Sequence, residues 1–193
     1  MINVKKFSKF SLLLTGLLTL FTVGAASTTT AHAASSAVND YISSQKIKPA
    51  KVTKTLWGGF PKNAYRHGVG KPEGVVVHET ANPNSTIYNE IAYMKAHYNN
   101  AFVHSFVDAS HIINIANTNY LAWGVGFPGN ARFVQFEQVE VHSKSAFAHE
   151  VSNAAWYTAY LLHQYGLKPN DAAYDGKGTV WSHGSVAKHL GGS

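Results

Sequence analysis

Hydrophobic and polar positions alternate along this chain with periods that change from segment to segment, and the changes mark its elements. Gly74-Val75-Val76-Val77-His78 is a short β-branched apolar run ending in a polar residue, the pattern of a buried strand. After the turn residues Asn82-Pro83-Asn84-Ser85, apolar positions Ile87, Ile91, Met94 and Tyr98 recur at helical spacing, which predicts a helix over 86–98 with Asn84 or Ser85 as N-cap. Ala101–Asp108 and His111–Ala116 are two runs rich in Val, Ile and Phe around a short polar turn, a hairpin pattern. Residues 117–131 hold Gly, Asn and Pro around Trp123 and read as a loop; Arg132–Val141 is the next strand. The most regular helical stripe is Phe147, Val151, Ala154, Ala155, Thr158, Leu161, Leu162 and Tyr165, which predicts a helix over 145–165 closed by Gly166 and Pro169. Val180-Trp181-Ser182-His183 then leads into a short amphipathic piece ending at Leu190-Gly191-Gly192-Ser193. The order strand, helix, hairpin, strand, helix predicts a single α/β domain with a central mixed sheet flanked by helices. Residues 34–73 are polar with scattered aromatics and no sustained period. They read as an exposed N-terminal arm or linker that becomes ordered near Trp57–Tyr65 and contributes few core residues.

The first residues carry an address. Lys5, Lys6 and Lys9 precede an apolar run from Phe10 to about Ala26, and Ala31-His32-Ala33 supplies the small-x-small pattern of a signal-peptidase site, so residues 1–33 read as a cleaved signal peptide. The apolar run is interrupted by Ser, Thr and Gly and falls short of a membrane span. Processing leaves 160 of the 193 residues, enough for one ordinary domain, assigned to 74–193 with the arm in front of it. The chain contains no cysteine, which excludes disulfides and thiol catalysis and leaves core packing, with or without a metal, to stabilise an exported protein. The formal charge of +6 falls to +3 once Lys5, Lys6 and Lys9 are removed. That suits an anionic cell wall and is too small to argue for nucleic acid. The expected product is secreted, free of the membrane after cleavage, and monomeric by default.

Eleven histidines in a cysteine-free exported chain direct attention to hydrolysis or metal binding. His97, His149, His163 and His189 fall on predicted helices, where an exposed polar role is the default. His78, His104 and Glu137 differ, because each places a polar group at the end or inward face of an apolar strand, a costly position unless the group is used. Strand alternation turns either Glu137 or Glu140 inward, but not both. His183 follows the last strand-like run. No HExxH or CxxC signature is present, so spacing does not separate a metal site from structural hydrogen bonding.

Several motifs in register resemble one family: Val76-Val77-His78-Glu79-Thr80-Ala81-Asn82, Asn100-Ala101-Phe102-Val103-His104-Ser105-Phe106-Val107-Asp108, Trp123-Gly124-Val125-Gly126, Arg132-Phe133 with Glu137, and Thr179-Val180-Trp181-Ser182-His183 before Leu190-Gly191-Gly192. From about Ile47 to Ser193 the chain resembles the catalytic domain of staphylococcal-type autolysin amidases. These belong to the amidase-2 family, whose fold is shared with phage lysozyme-amidases and peptidoglycan recognition proteins. The resemblance implies zinc-dependent hydrolysis of the amide between N-acetylmuramic acid and L-alanine in peptidoglycan. It implies His78 and His183 as zinc ligands and Glu137 as the catalytic carboxylate, chosen over Glu140 by its distance from Arg132-Phe133. His104, Trp123, Thr80 and Asn82 are implied in binding the muramyl peptide.

In the family the Leu-Gly-Gly segment continues into a Thr/Ser-x-His-x-Asp-Pro motif, whose Asp is the third zinc ligand and whose His stabilises the tetrahedral intermediate. Ser193 comes before either, so the resemblance implies a C-terminally incomplete catalytic domain. The alternative it raises is a catalytically impaired peptidoglycan-binding module of the same fold. A glycosidase needs paired carboxylates across a cleft, and strand alternation sends Glu140 away from Glu137.

Overall fold

The computed structural model describes residues 36–67 and 70–192; the expected signal peptide lies outside them. Strands β1 (Val52–Lys54), β2 (Gly74–Glu79), β3 (Ser105–Val107), β4 (Ile112–Asn114), β5 (Phe133–Gln138) and β6 (Val180–Ser182) form one sheet in the order β1-β4-β3-β5-β2-β6. Only the β3–β4 hairpin is antiparallel; β1 with β4, β3 with β5, β5 with β2 and β2 with β6 are parallel. Helices α1 (Ala37–Ser44), α2 (Ile87–His97), α3 (Lys144–Gln164) and α4 (His183–Leu190) complete the mixed α/β domain. No helix among the described residues is long and apolar enough to cross a membrane.

The two-residue period of the strands sorts their side chains between two faces. Val75, Val134 and Phe136 pack with Val107 and Ile112 against Ala154, Tyr157, Leu161 and Leu162 of α3. On the opposite face Val76 and Phe133 meet Trp181 and Val186 of α4. There too Phe106 and Ile113 join Ile87 and Ile91 of α2 with Phe60 and Phe102. His78 and Glu137 alternate with the α3-facing residues, so both stand on the α4 and α2 side.

Helix α2 starts one residue later than the sequence pattern suggests, because the Thr86 hydroxyl, not Asn84 or Ser85, accepts the Asn89 N–H. Helix α3 is capped by Ser143 and ends where Gly166 takes a φ of 67°, a left-handed conformation that glycine adopts without a Cβ penalty. Its buried stripe is Ala148, Glu150, Asn153, Ala154, Tyr157, Leu161 and Leu162. That stripe shares Ala154, Leu161 and Leu162 with the predicted one but is turned toward Asn153 and Tyr157, and it leaves Phe147 46% exposed. The turn goes with two polar atoms of one residue. Asn153 is fully buried because its Oδ1 accepts the Ala50 N–H at 2.7 Å and its Nδ2 donates to the Asp108 carbonyl at 2.8 Å.

The reading of 34–73 as an exposed arm is corrected here. The segment carries α1 and β1, Val52 pairs with Ile112 at the sheet edge, and Phe60 and Tyr65 are core residues. A three-residue edge strand is too short to display alternation, and α1 buries no residue, so neither element leaves a periodic trace.

Candidate functional site

Three parallel strands, β6, β2 and β5, end on the same edge of the sheet, and ligands of open α/β sheets bind beyond such carboxyl ends. His78 and Glu137 are register partners near the ends of β2 and β5. His183 is the first residue of α4, immediately after β6. Its helix is started by a reciprocal capping box in which Ser182 and Ser185 each bond the other's backbone N–H. Residues 105 positions apart in sequence are thereby joined, with His78 Nδ1 lying 3.0 Å from His183 Nδ1 and the rings at 88°.

Gln135 decides which His78 nitrogen carries the proton. Its Oε1 accepts the Gly124 backbone N–H at 3.2 Å and its Nε2 donates to the Ala122 carbonyl at 3.0 Å, which sets the amide orientation. The His78 Nε2 contact to Oε1 at 3.2 Å must then be a donated N–H, leaving Nδ1 with its lone pair toward His183. Burial, and secondarily the neighbouring His183, lowers the His78 pKa to about 4 against the opposing Gln135 hydrogen bond, so the ring is neutral near pH 7. Gln135 was not singled out from sequence. Its signal was there: a polar residue two positions before Glu137 on the same inward alternation, fully buried in the structure.

Glu137 is largely enclosed, and its Oε2 is buried without a hydrogen-bond partner. Burial, reinforced by Glu90 and Glu79, raises its pKa to about 8. A carboxyl held this way keeps its proton at neutral pH until positive charge arrives nearby. Glu140 falls beyond the end of β5, so strand alternation does not govern it.

Two-coordinate capture of a metal by His78 and His183 is geometrically reasonable, since tetrahedral zinc with ordinary Zn–N bonds separates two nitrogens by roughly 3.3 Å. Among the described residues, no group of three or more His, Asp or Glu side chains closes round a common point. The donor set therefore supplies a two-nitrogen arm and falls one protein ligand short of the usual catalytic zinc site.

The other expected residues separate. Thr80 and Asn82 line an open groove of about 560 Å³ with Ser85, Asn89, Glu90 and Tyr93. The Thr80 hydroxyl is buried without a partner, and Asn82 Nδ2 donates to Glu90 at 2.9 Å. Trp123 is half-buried, donates its indole N–H to the Tyr98 carbonyl at 2.8 Å and packs edge-on against Phe102. His104 departs from the substrate-lining expectation. It is 0% exposed, its Nδ1 accepts the Gln135 N–H at 3.0 Å, and its Nε2 donates to the Tyr120 carbonyl at 2.8 Å. Both ring nitrogens are engaged inside the core, so the ring has no face to offer a ligand.

Residues 68–192 match the protein family described as N-acetylmuramoyl-L-alanine amidase. Over 158 residues the chain is 54% identical to the bifunctional autolysin of Staphylococcus aureus strain Mu50, a match covering 82% of this chain and 13% of the autolysin. The crystal structure of Staphylococcus aureus hydrolase AmiA in complex with its ligand is similar at a TM-score of 0.80 and 53% identity, covering 82% of this chain and 78% of that one. The catalytic domain of XlyA shares the fold at a TM-score of 0.56 and 21% identity, covering 74% and 88% of the two chains.

Proposed function

The chain belongs to the N-acetylmuramoyl-L-alanine amidase family, and from that premise we propose that it is a secreted, zinc-dependent cell-wall autolysin. Its reaction is hydrolysis of the amide joining the lactyl group of N-acetylmuramic acid to the first L-alanine of the peptidoglycan stem peptide. The observation that carries this reading is the meeting of His78 and His183, Nδ1 to Nδ1 at 3.0 Å, on the same sheet face as Glu137, whose Oε2 is buried without a partner.

The proposed roles rest on the family resemblance, and that geometry supports them. His78 and His183 would hold zinc through their Nδ1 atoms, a two-nitrogen arm that needs one more ligand to complete the usual catalytic site. Zinc, when bound, supplies the positive charge that polarises the scissile carbonyl and acidifies an attacking water. Gln135 keeps the His78 proton on Nε2, so the ligand lone pair stays on Nδ1. Glu137 takes the proton of the attacking water at its carboxylate and returns it to the alanine nitrogen as the C–N bond breaks. Water oxygen ends on the lactyl carbonyl carbon, giving a carboxylic acid and a free amine. The groove of Thr80 and Asn82, with Trp123, is the proposed contact surface for the muramyl peptide.

The missing third ligand among the described residues favours one second reading: a binding module of the same fold that holds muramyl peptide without cutting it. The two readings separate in one experiment. Purified wall is incubated with the protein and with its H78A, H183A and E137Q variants, with zinc and with chelator, and new amino termini and zinc content are measured. Release of alanine-terminated stem peptides by the zinc-loaded protein, abolished in all three variants, supports the amidase. Muropeptide binding that is insensitive to chelator, with no bond cut, supports the module.

A further inference from the structure

On the sheet face opposite His78 lies a second cavity, unused by the proposed reaction. Glu79 follows His78 on β2 and so leaves the other side of the strand. It lines a space of about 470 Å³ together with Gln138, Glu140, Phe147, Glu150 and Val151. That volume falls within the roughly 300–1,000 Å³ usual for small-molecule pockets.

Its chemistry is one-sided. Glu150, on α3, is only 4% exposed, and its Oε1 is buried with no hydrogen-bond partner. Burying a carboxyl without a partner is costly, and native proteins keep such groups where something else meets them. Burial first, and then the neighbouring carboxylates Asp108, Glu79 and Glu140, raise the Glu150 pKa to about 7. A hydrogen bond to Glu79 likewise raises the Glu140 carboxyl, with His142 pulling the other way. Lys144, on the same helix as Glu150, is placed over the Tyr41 ring. The apolar part of the lining is Val141, Phe147, which is 46% exposed, and Val151, four residues after Phe147 on the same helix.

We propose that this cavity binds a primary ammonium group carried on an aliphatic chain, such as a lysine side chain or a linear diamine. The nitrogen sits on Glu150 and its neighbours, and the methylenes lie along Phe147 and Val151. A small divalent ion suits the space less well, because no three acidic side chains among the described residues close round a common point. An extended cation reaches carboxylates that are spread around a cavity and fills the apolar side as well.

The test is an NMR titration of the protein, in chelator, with four probes: Nα-acetyl-L-lysine methylamide, 1,5-diaminopentane, N-acetyl-L-norleucine methylamide and calcium chloride alone. Binding of either amine at millimolar concentration is expected, with shifts concentrated at residues 138–151. The affinity falls about tenfold or more in Glu150→Gln, the equivalent of one charge-assisted hydrogen bond. A similar loss is expected in Glu140→Gln, which guards against a folding defect in the first variant, and binding persists in His183→Ala. Tighter binding of the lysine derivative assigns a peptide-borne amine, and tighter binding of the diamine a free one; both support the site. The proposal is overturned if neither amine binds, if the norleucine derivative binds equally well, or if folded Glu150→Gln and Glu140→Gln bind amines normally. Calcium alone binding with the same Glu150 dependence also overturns it.

Discussion

Replacing Glu137 with Gln should stabilise the metal-free protein while abolishing wall hydrolysis, and the stability gain should depend on pH in a defined way. The carboxyl has a pKa near 4.5 when unfolded and about 8 in the folded chain, raised first by burial and then by Glu90 and Glu79. Between those values the folded state binds more protons than the unfolded state, so stability falls as pH rises from 4.5 and levels off above 8. At 1.36 kcal/mol per pH unit the cost is about 3 kcal/mol at pH 7 and about 5 kcal/mol above pH 8. Glutamine keeps the shape and one donor but has no proton to lose, so it escapes this cost. Urea denaturation followed by tryptophan fluorescence, in chelator from pH 4 to pH 9, measures both proteins. Glu150 titrates in the same direction in both, so the difference between the two curves isolates residue 137. The difference should be near zero at pH 4 and should open through neutrality. Parallel curves would show that the Glu137 carboxyl is not held protonated by the fold. Retained release of stem peptides by Glu137→Gln would remove it from the proton-transfer role.

Gln135→Leu leaves the Gly124 N–H, the Ala122 carbonyl and the His78 Nε2–H without their partner. It should cost roughly 2–4 kcal/mol by denaturation and weaken zinc binding about 10–100-fold in a chelator competition, and unchanged zinc affinity would count against tautomer control by Gln135. Ser182→Ala removes the capping box that starts the helix of His183 and should cost about 1 kcal/mol in a thermal melt, with lower wall hydrolysis. Asn153→Ala frees the Ala50 N–H and the Asp108 carbonyl and should cost roughly 2–4 kcal/mol, with faster proteolysis before residue 52; equal proteolysis would mean the segment is held by other contacts.

Legibility in the sequence followed element length and local period. Helix α3 announced itself because many residues repeated one period, strand β2 because a β-branched apolar run ended in a polar residue, and the β3–β4 hairpin because two apolar runs flanked one turn. Strand β1 and helix α1 were invisible for the opposite reason, one being three residues long and the other burying nothing. The rotation of the α3 stripe shows a second limit. Asn153 counts as polar and Phe147 as apolar in any periodic reading, yet two hydrogen bonds bury the first, and the second stands at the rim of a cavity.

The site shows the same limit in its chemistry. A polar group on an apolar strand is costly unless used, and that rule raised His78, His104 and Glu137 together. The structure uses them differently. His104 finds Tyr120 and Gln135 within the core, and its cost is met internally. His78 finds only one internal partner, through Nε2, and its other nitrogen faces a second imidazole that arrives from the far end of the chain. Glu137 Oε2 finds none. What separates a structural polar residue from a chemical one is thus the number of partners left over after folding, and partners are a property of tertiary neighbours that no local spacing encodes. By that criterion Glu150 belongs with Glu137: both are enclosed carboxyls with an orphaned oxygen, one on each side of the same sheet. A fold that tolerates the cost twice has reason to expect a positive charge at both places, and Glu137→Gln and Glu150→Gln ask that question of each separately.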